Sequence, residues 1–334
     1  MDGSHSVDIR QVAQRAGVSP GTVSNVLNRP ERVAAATRVR VLDAIRELGF
    51  VRNASASSLR AGQSRTVGLM ILDLGNPFFT DMARGVEDAL SERGYAVILC
   101  SSNTSRERER RNLLMLAEQQ VRGVLVTPVS DDPAPLDVLR ERGVATVMLD
   151  HPATQSDQCS VTVDDVAGGR LAMGHLLENG ARDVAYVSGQ LSIRQCMDRL
   201  TGARQAVAAV GTGTLREIVV PAMTARAGQE AAETLLGELP EAIFCANDLL
   251  ALGMLRTLIQ RDVRVPKDVA LIGYDDIEFT AAAAVPLSSI RQPTYQLGRI
   301  AAELLLDECD SPGGHAHQQI MFQPELIVRE STPS

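Results

Sequence analysis

Ile9, Val12, Ala13 and Ala16 recur at helical spacing and make one apolar stripe near the start of the chain. Asp8 stands where an N-cap belongs, with Gln11 three residues on to complete a capping box. Gly17 follows, where a left-handed residue ends a helix. A second helix opens with Ser19 as cap and Pro20 at the first position, where a missing N–H costs nothing. Val23, Val26 and Leu27 carry its apolar face, and Val39, Val41, Leu42, Ile45 and Leu48 form a third stripe that stops at Gly49. Two short helices joined by a glycine turn and braced by a third predict a helix-turn-helix over residues 1–50.

Residues 51–65 are small, polar and nearly without apolar anchors, which reads as a linker. Asn53 through Arg60 lacks glycine and proline, however, and has the length for two helical turns with Ala56 and Leu59 on one face. So short a helix is unstable alone and orders only against partners.

From Thr66 the periodicity changes. Val67–Leu72 is a continuous apolar run, and Phe78–Arg93 is an amphipathic helix. Strand signals recur at 96–100, 123–126, 145–149, 183–187, 218–220, 242–244 and 269–272, mostly with helical stretches between them. This is the βαβ pattern of doubly wound parallel sheets. Some 270 residues exceed one such sheet, so two lobes are expected, about 66–162 and 163–292. The last helix, 297–306, and a strand near 320–322 return to the first lobe over 293–330.

Charge sharpens the division. The 334 residues carry a net −8, which alone argues against a nucleic-acid partner. Yet residues 1–65 hold ten arginines against five acids, net +5, leaving −13 on the rest. The basic helix-turn-helix would lay its second helix in a major groove, with Pro20, Gly21, Thr22 and Asn25 toward DNA. Asn25 suits a bidentate contact to adenine, whereas Gly21 has no side chain to read a base. Ser19, Thr22, Ser24 and the arginines suit phosphate.

Ala16-Gly-Val-Ser-x-x-Thr-Val-Ser-x-Val-Leu-Asn28, continuing through Leu48-Gly-Phe50, resembles the head of the LacI family of bacterial transcriptional regulators. The likeness extends over nearly the whole chain. It implies an all-α helix-turn-helix domain joined by a hinge helix to a two-lobed α/β periplasmic-binding-protein-like sensor, 66–334. It adds Asn28 and Arg29 to the DNA-binding set. In the hinge it implies that Leu59 wedges between bases in the minor groove, with Asn53 and Ala56 beside it. Two departures stand out: Asn25 replaces a frequent arginine, and Ala34 replaces a serine that usually caps the third helix.

Several polar residues follow the strands of the body, where a cleft between lobes is lined. They include Asp73 and Asn76, Asp150, Asp164 and Asp165, Asn247 and Asp248, and Asp275 and Asp276, with Arg194 and Arg199 at a helix start. Carboxylates and amides beside an aromatic face suit a polyol. The resemblance places Phe78 or Phe79, Asp150, Arg199, Asn247, Asp275 and Gln292 at effector-contacting positions. Met223 stands where an aromatic is frequent, and His151 where an arginine is. Each has a plainer reading: Phe78 and Phe79 as core, Asp164 and Asp248 as helix caps.

The expected function is therefore a repressor that reads a pseudopalindromic operator as a homodimer and answers a small molecule. A sugar that releases the DNA is the first expectation, and a nucleoside or purine corepressor the alternative. No leucine heptad follows Ile327, which favours a dimer over a tetramer. An enzyme on the same scaffold should show Gly-x-Gly-x-x-Gly or a Walker lysine after the first strand, but Leu72-Asp-Leu-Gly-Asn-Pro-Phe78 has neither. A secreted sugar carrier should begin with a signal peptide, which Met1–Val12 does not resemble. No apolar run approaches the ~20 residues of a membrane span, so a cytoplasmic protein is expected. No cofactor is implied. The five cysteines are widely spaced, and His315 with His317 lacks a third ligand in sequence, so no metal is expected.

Overall fold

The computed structural model describes residues 7–50, 64–311 and 313–333. The hinge residues Asn53, Ala56 and Leu59 lie outside them. Contacts divide the chain into two units, 1–64 and 65–334.

In the first unit, α1 (Ile9–Ala16), α2 (Pro20–Asn28) and α3 (Ala35–Leu48) enclose Val12, Ala13, Val23, Val26, Val41 and Ala44. Both halves of the capping box form: Gln11 N donates to Asp8 Oδ1 at 2.9 Å and Asp8 N to Gln11 Oε1 at 2.8 Å. Gly17 takes φ +66° and lets the chain turn sharply into α2. Thr22 N donates to Ser19 Oγ at 3.1 Å. Ala34 gives α3 no side-chain cap.

The second unit begins with β1 (Thr66–Ile71), α4 (Pro77–Glu92), β2 (Ala96–Ser101), α5 (Arg106–Glu118), β3 (Gly123–Val126), α6 (Asp137–Arg140), β4 (Ala145–Leu149) and β5 (Cys159–Val163). A second series follows: α7 (Asp165–Glu178), β6 (Asp183–Ser188), α8 (Arg194–Val210), β7 (Thr214–Val219), α9 (Ala225–Leu235), β8 (Ala242–Cys245), α10 (Asp248–Gln260), β9 (Ala270–Asp275) and β10 (Ser288–Arg291). The chain ends with α11 (Thr294–Asp310), β11 (Gln319–Phe322) and β12 (Glu325–Ile327).

Among the described residues these strands form two sheets of six, ordered β2-β1-β3-β4-β5-β11 and β7-β6-β8-β9-β10-β12. All neighbours are parallel except β10 and β12. The chain passes between the sheets three times, after β5, after β10 and after β11. Burial of Leu69, Ile71, Leu125 and Val147 beneath α4 and α11 builds the first lobe, and Ile243, Leu271 and Tyr186 anchor the second. No helix among the described residues is long and apolar enough to cross a membrane.

Three differences from the sequence reading have physical causes. β7 covers 214–219 rather than 218–220, because it is an edge strand whose Arg216 and Glu217 pair outward with Asp183 and Arg204 at 2.6 Å each. β10 escapes the apolar pattern because Ser288 and Ser289 are fully buried yet satisfied, Ser289 Oγ donating to Asp248 Oδ1 at 2.7 Å. The tail does not stay in the first lobe to residue 330: β12 pairs with β10, and Leu271 N donates to Ser331 O at 2.8 Å.

Candidate functional site

In the head, Val23 and Val26 face the core and leave Pro20, Gly21, Asn25, Asn28 and Arg29 exposed on α2, with Thr22 and Ser24 half-buried. Ser19 Oγ and Thr22 Oγ1 lie 3.0 Å apart at the helix start, where backbone N–H groups point outward and the dipole favours an anion. Asn28 Nδ2 turns back to Ser24 O at 2.8 Å and closes the last turn. Arg29, Arg38 and Arg40 are exposed. One polar helix face fringed by arginines is what a groove reader presents.

In the body, the carboxyl ends of both sheets meet over a charged network. Arg199, in the second turn of α8, is 4% exposed. Its Nε donates to Asp165 Oδ1 at 2.8 Å and its Nη1 to Ala246 O at 2.6 Å. The guanidinium carbon lies 3.6 Å from the centre of the Tyr274 ring, and Nη1 is 3.8 Å from Asp275. Asp275 also accepts from Gln292 Nε2 at 2.8 Å and from Asn76 Nδ2 at 3.2 Å. Asn76 belongs to the first lobe, so this bond joins the lobes. Two more do so: Gln195 Nε2 donates to Asp150 Oδ2 at 3.0 Å, and Arg194 Nη1 to Asp131 Oδ2 at 3.3 Å. Asp131 in turn is 2.8 Å from His151 Nε2.

Burial sets the protonation of this network. It pushes the carboxyls of Asp150 and Asp165 up, and Asp275 up to about 6, with Arg199 partly offsetting each. Burial alone would lower the Arg199 pKa, but Asp165, Tyr274 and Asp275 overcome it and hold the guanidinium charged. Asp150 at φ +54° and Asp275 at φ +106° sit in backbone regions that residues with a β-carbon rarely adopt. Strain of this kind is held in place only by its surroundings, and here both residues lie in the cleft.

A cavity of about 140 Å³ opens between the lobes, lined by Asp73, Asn76, Phe79, Gln190, Met223 and Asn247 among others. Phe79, Met223 and Asn247, three of the candidate effector residues, thus line one cavity. Asn247 also caps α10 through Leu250 N at 2.9 Å. Phe78, Asp275 and Gln292 line a separate 390 Å³ recess instead. Asp150 and Arg199 are buried and line neither. Asp164 and Asp248 divide their roles: Asp164 caps α7 through Ala167 N at 2.8 Å, while Asp248 receives Ser289 Oγ and Ile277 N. Sequence reasoning missed Gln195 and Asp131, which do not follow an expected strand closely. The only hint of Gln195 was its place beside Arg194 at the start of a helix. Asp150 Oδ1, Gln195 Oε1 and Gln292 Oε1 are buried without a hydrogen-bond partner among the described residues. Each is a polar atom whose desolvation is uncompensated until something donates to it.

Comparison with known proteins joins the two sites in one lineage. Residues 8–53 match the family of bacterial regulatory proteins, lacI family, and residues 173–332 match a periplasmic binding protein-like domain. The HTH-type transcriptional repressor PurR of Photobacterium profundum is 33% identical over 97% of this chain and 98% of its own. The transcriptional regulator CelR, solved as a cellobiose complex, is 34% identical at a TM-score of 0.72, covering 97% and 99% of the two chains. The lac repressor dimer bound to operator and the anti-inducer ONPF superposes at a TM-score of 0.85 with 26% identity, over 98% and 99%. With a groove-reading head, a two-lobed body and full-length relatives, the chain belongs to the lacI family of bacterial regulatory proteins.

Proposed function

We infer that the protein is a repressor that binds operator DNA through α2 and loses or gains that affinity when a small polyhydroxylated molecule, a sugar, occupies the cleft between its lobes. The observation that carries this is the trio of buried oxygens on Asp150, Gln195 and Gln292 without a partner among the described residues, all three on residues that join or brace the lobes. Sugar hydroxyls donate to such oxygens, and their binding changes the same contacts that hold the lobes together. Met223 in place of an aromatic leaves Phe79 as the ring at the cavity wall, which suits the face of a sugar better than the two faces of a purine. The purine reading draws on the repressor PurR among the relatives.

Two heads in a homodimer would read a pseudopalindrome, with hinge residues Asn53, Ala56 and Leu59 ordering in the minor groove. Domain limits of 1–50, 51–65 and 66–334 accommodate that arrangement. The test is a thermal-shift screen of sugars and purines followed by operator titration with and without each stabilising compound. Stabilisation by a sugar that also changes operator affinity supports the reading. Stabilisation by purines alone replaces the sugar with the alternative.

A further inference from the structure

We propose that the protein carries a zinc-class divalent cation site, built by Cys159, Glu308, His315 and His317 at the outer edge of the first sheet. His315 and His317 offer two imidazoles at a spacing that gives no third ligand in sequence. The fold supplies two more. Cys159 opens β5, which pairs with β11 starting two residues after His317, and Glu308 lies in the last turn of α11. One ligand atom from each of the four lies within 4.8 Å of every other. The thiol sulfur is 3.1 Å from His315 Nε2 and 3.7 Å from His317 Nδ1.

Those distances bracket the roughly 3.5 Å that separates ligand atoms around a tetrahedral zinc with bonds of about 2.0–2.3 Å. Glu308 adds an independent pointer: its Oε2 is buried and has no hydrogen-bond partner among the described residues. Gln318 N donates to the Cys159 sulfur at 3.3 Å, the kind of outer bond that orients a metal thiolate. Cys159 is buried, Glu308 and His315 are partly covered, and His317 is exposed, so an ion has a route in from solvent.

The ligand set identifies the cation. One sulfur, two imidazole nitrogens and one carboxylate oxygen match a borderline ion, whereas magnesium and calcium require oxygen. Four protein ligands close a tetrahedron, which marks a structural ion rather than a catalytic one. It would tie the end of α11 to the β5–β11 edge. That end is already fixed to the start of the sheet, since Arg122 donates to Cys309 O at 2.6 Å and its own N–H to Thr66 O at 2.7 Å.

The full-length chain, stripped with chelator, should take up one zinc per chain and rise in thermal midpoint. Cobalt in its place should give a thiolate charge-transfer band and tetrahedral d–d absorption. His317→Ala alters an exposed residue and should stay folded, yet weaken zinc by more than roughly 100-fold, beyond what losing an outer partner does. Cys159→Ser should abolish the charge-transfer band. Failure of the stripped chain to bind zinc overturns the proposal. So does uptake, or a cobalt spectrum, that is unchanged when His315 and His317 are both replaced by alanine.

Discussion

Asn76 of the first lobe donates from Nδ2 to Asp275 Oδ2 of the second at 3.2 Å, while its own Oδ1 accepts from Phe78 N at 3.0 Å and caps α4. One side chain therefore couples the closure of the lobes to the start of the helix that packs along α11. A ligand that competes for Asp275 changes this bond, and the change is delivered to α4.

Asp275→Ala should uncouple the sensor from the head. It removes the acceptor shared by Asn76 and Gln292 and one of the two carboxylates beside Arg199, leaving Asp165 as the other. Loss of one charged hydrogen-bonding group is worth about 2 kcal/mol, or roughly 30-fold in effector affinity. Operator binding without effector should persist. Calorimetry with a screened sugar that showed undiminished affinity would reject the assignment.

The same residue gives a pH signature. Burial raises Asp275 from an ordinary 3.8 to about 6, with Arg199 opposing. The folded state then holds this proton between those values and the unfolded state does not, so stability falls as pH rises from about 4 to about 6. Over that interval the loss is about 3 kcal/mol. Asp275→Asn keeps the shape of the protonated acid and should flatten the curve by that amount. Asp150, Asp165 and Asp248 are also raised by burial, so both chains retain a common slope. Denaturation midpoints that ran parallel in the two proteins between about pH 4 and 6 would contradict it.

How much of this was legible follows from the range of each interaction. Asp8, Gln11, Gly17 and Ser19 act within a few residues, so the caps of the head can be read directly and form as read. Strand-end aspartates such as Asp150 and Asp275 are also visible, because a polar residue after an apolar run marks the mouth of a sheet. Gln195 meets Asp150 from 45 positions away, and Cys159 meets His315 from 156. No local period encodes such pairs. β10 was hidden for another reason: its serines are buried by satisfaction of their hydroxyls rather than by hydrophobicity.

For the head, Asn25 and Arg29 should fail differently. Asn25 is exposed on the face of α2 away from Val23 and Val26, the face that a groove reader would turn to base edges. Asn25→Ala should cost about 1–3 kcal/mol on the preferred operator and relax preference at a single base pair. Arg29→Ala should weaken all sequences alike and reduce the log–log salt slope by about 1. Titrations of an operator and its single-base variants across a salt series separate the two. A salt slope near zero for the unaltered protein would refute phosphate anchoring altogether.

Two glycines of α7 should answer the same substitution in opposite directions. A β-carbon at Gly169 would overlap the backbone carbonyl of Arg199, because α7 and α8 cross there without intervening side chains. Gly169→Ala must push α8 away, at a cost of about 1–3 kcal/mol, and carry the Arg199 guanidinium off Asp165 and Tyr274. At Gly174, five residues along the same helix, a β-carbon meets nothing within 4 Å. Gly174→Ala should therefore stabilise by about 0.5–1 kcal/mol through helix propensity alone. Thermal denaturation gives the two signs, and effector titration should show a loss only for Gly169→Ala. Equal stabilisation by both would mean that α7 and α8 do not approach so closely, and that Arg199 is positioned by its hydrogen bonds rather than by the crossing of the helices.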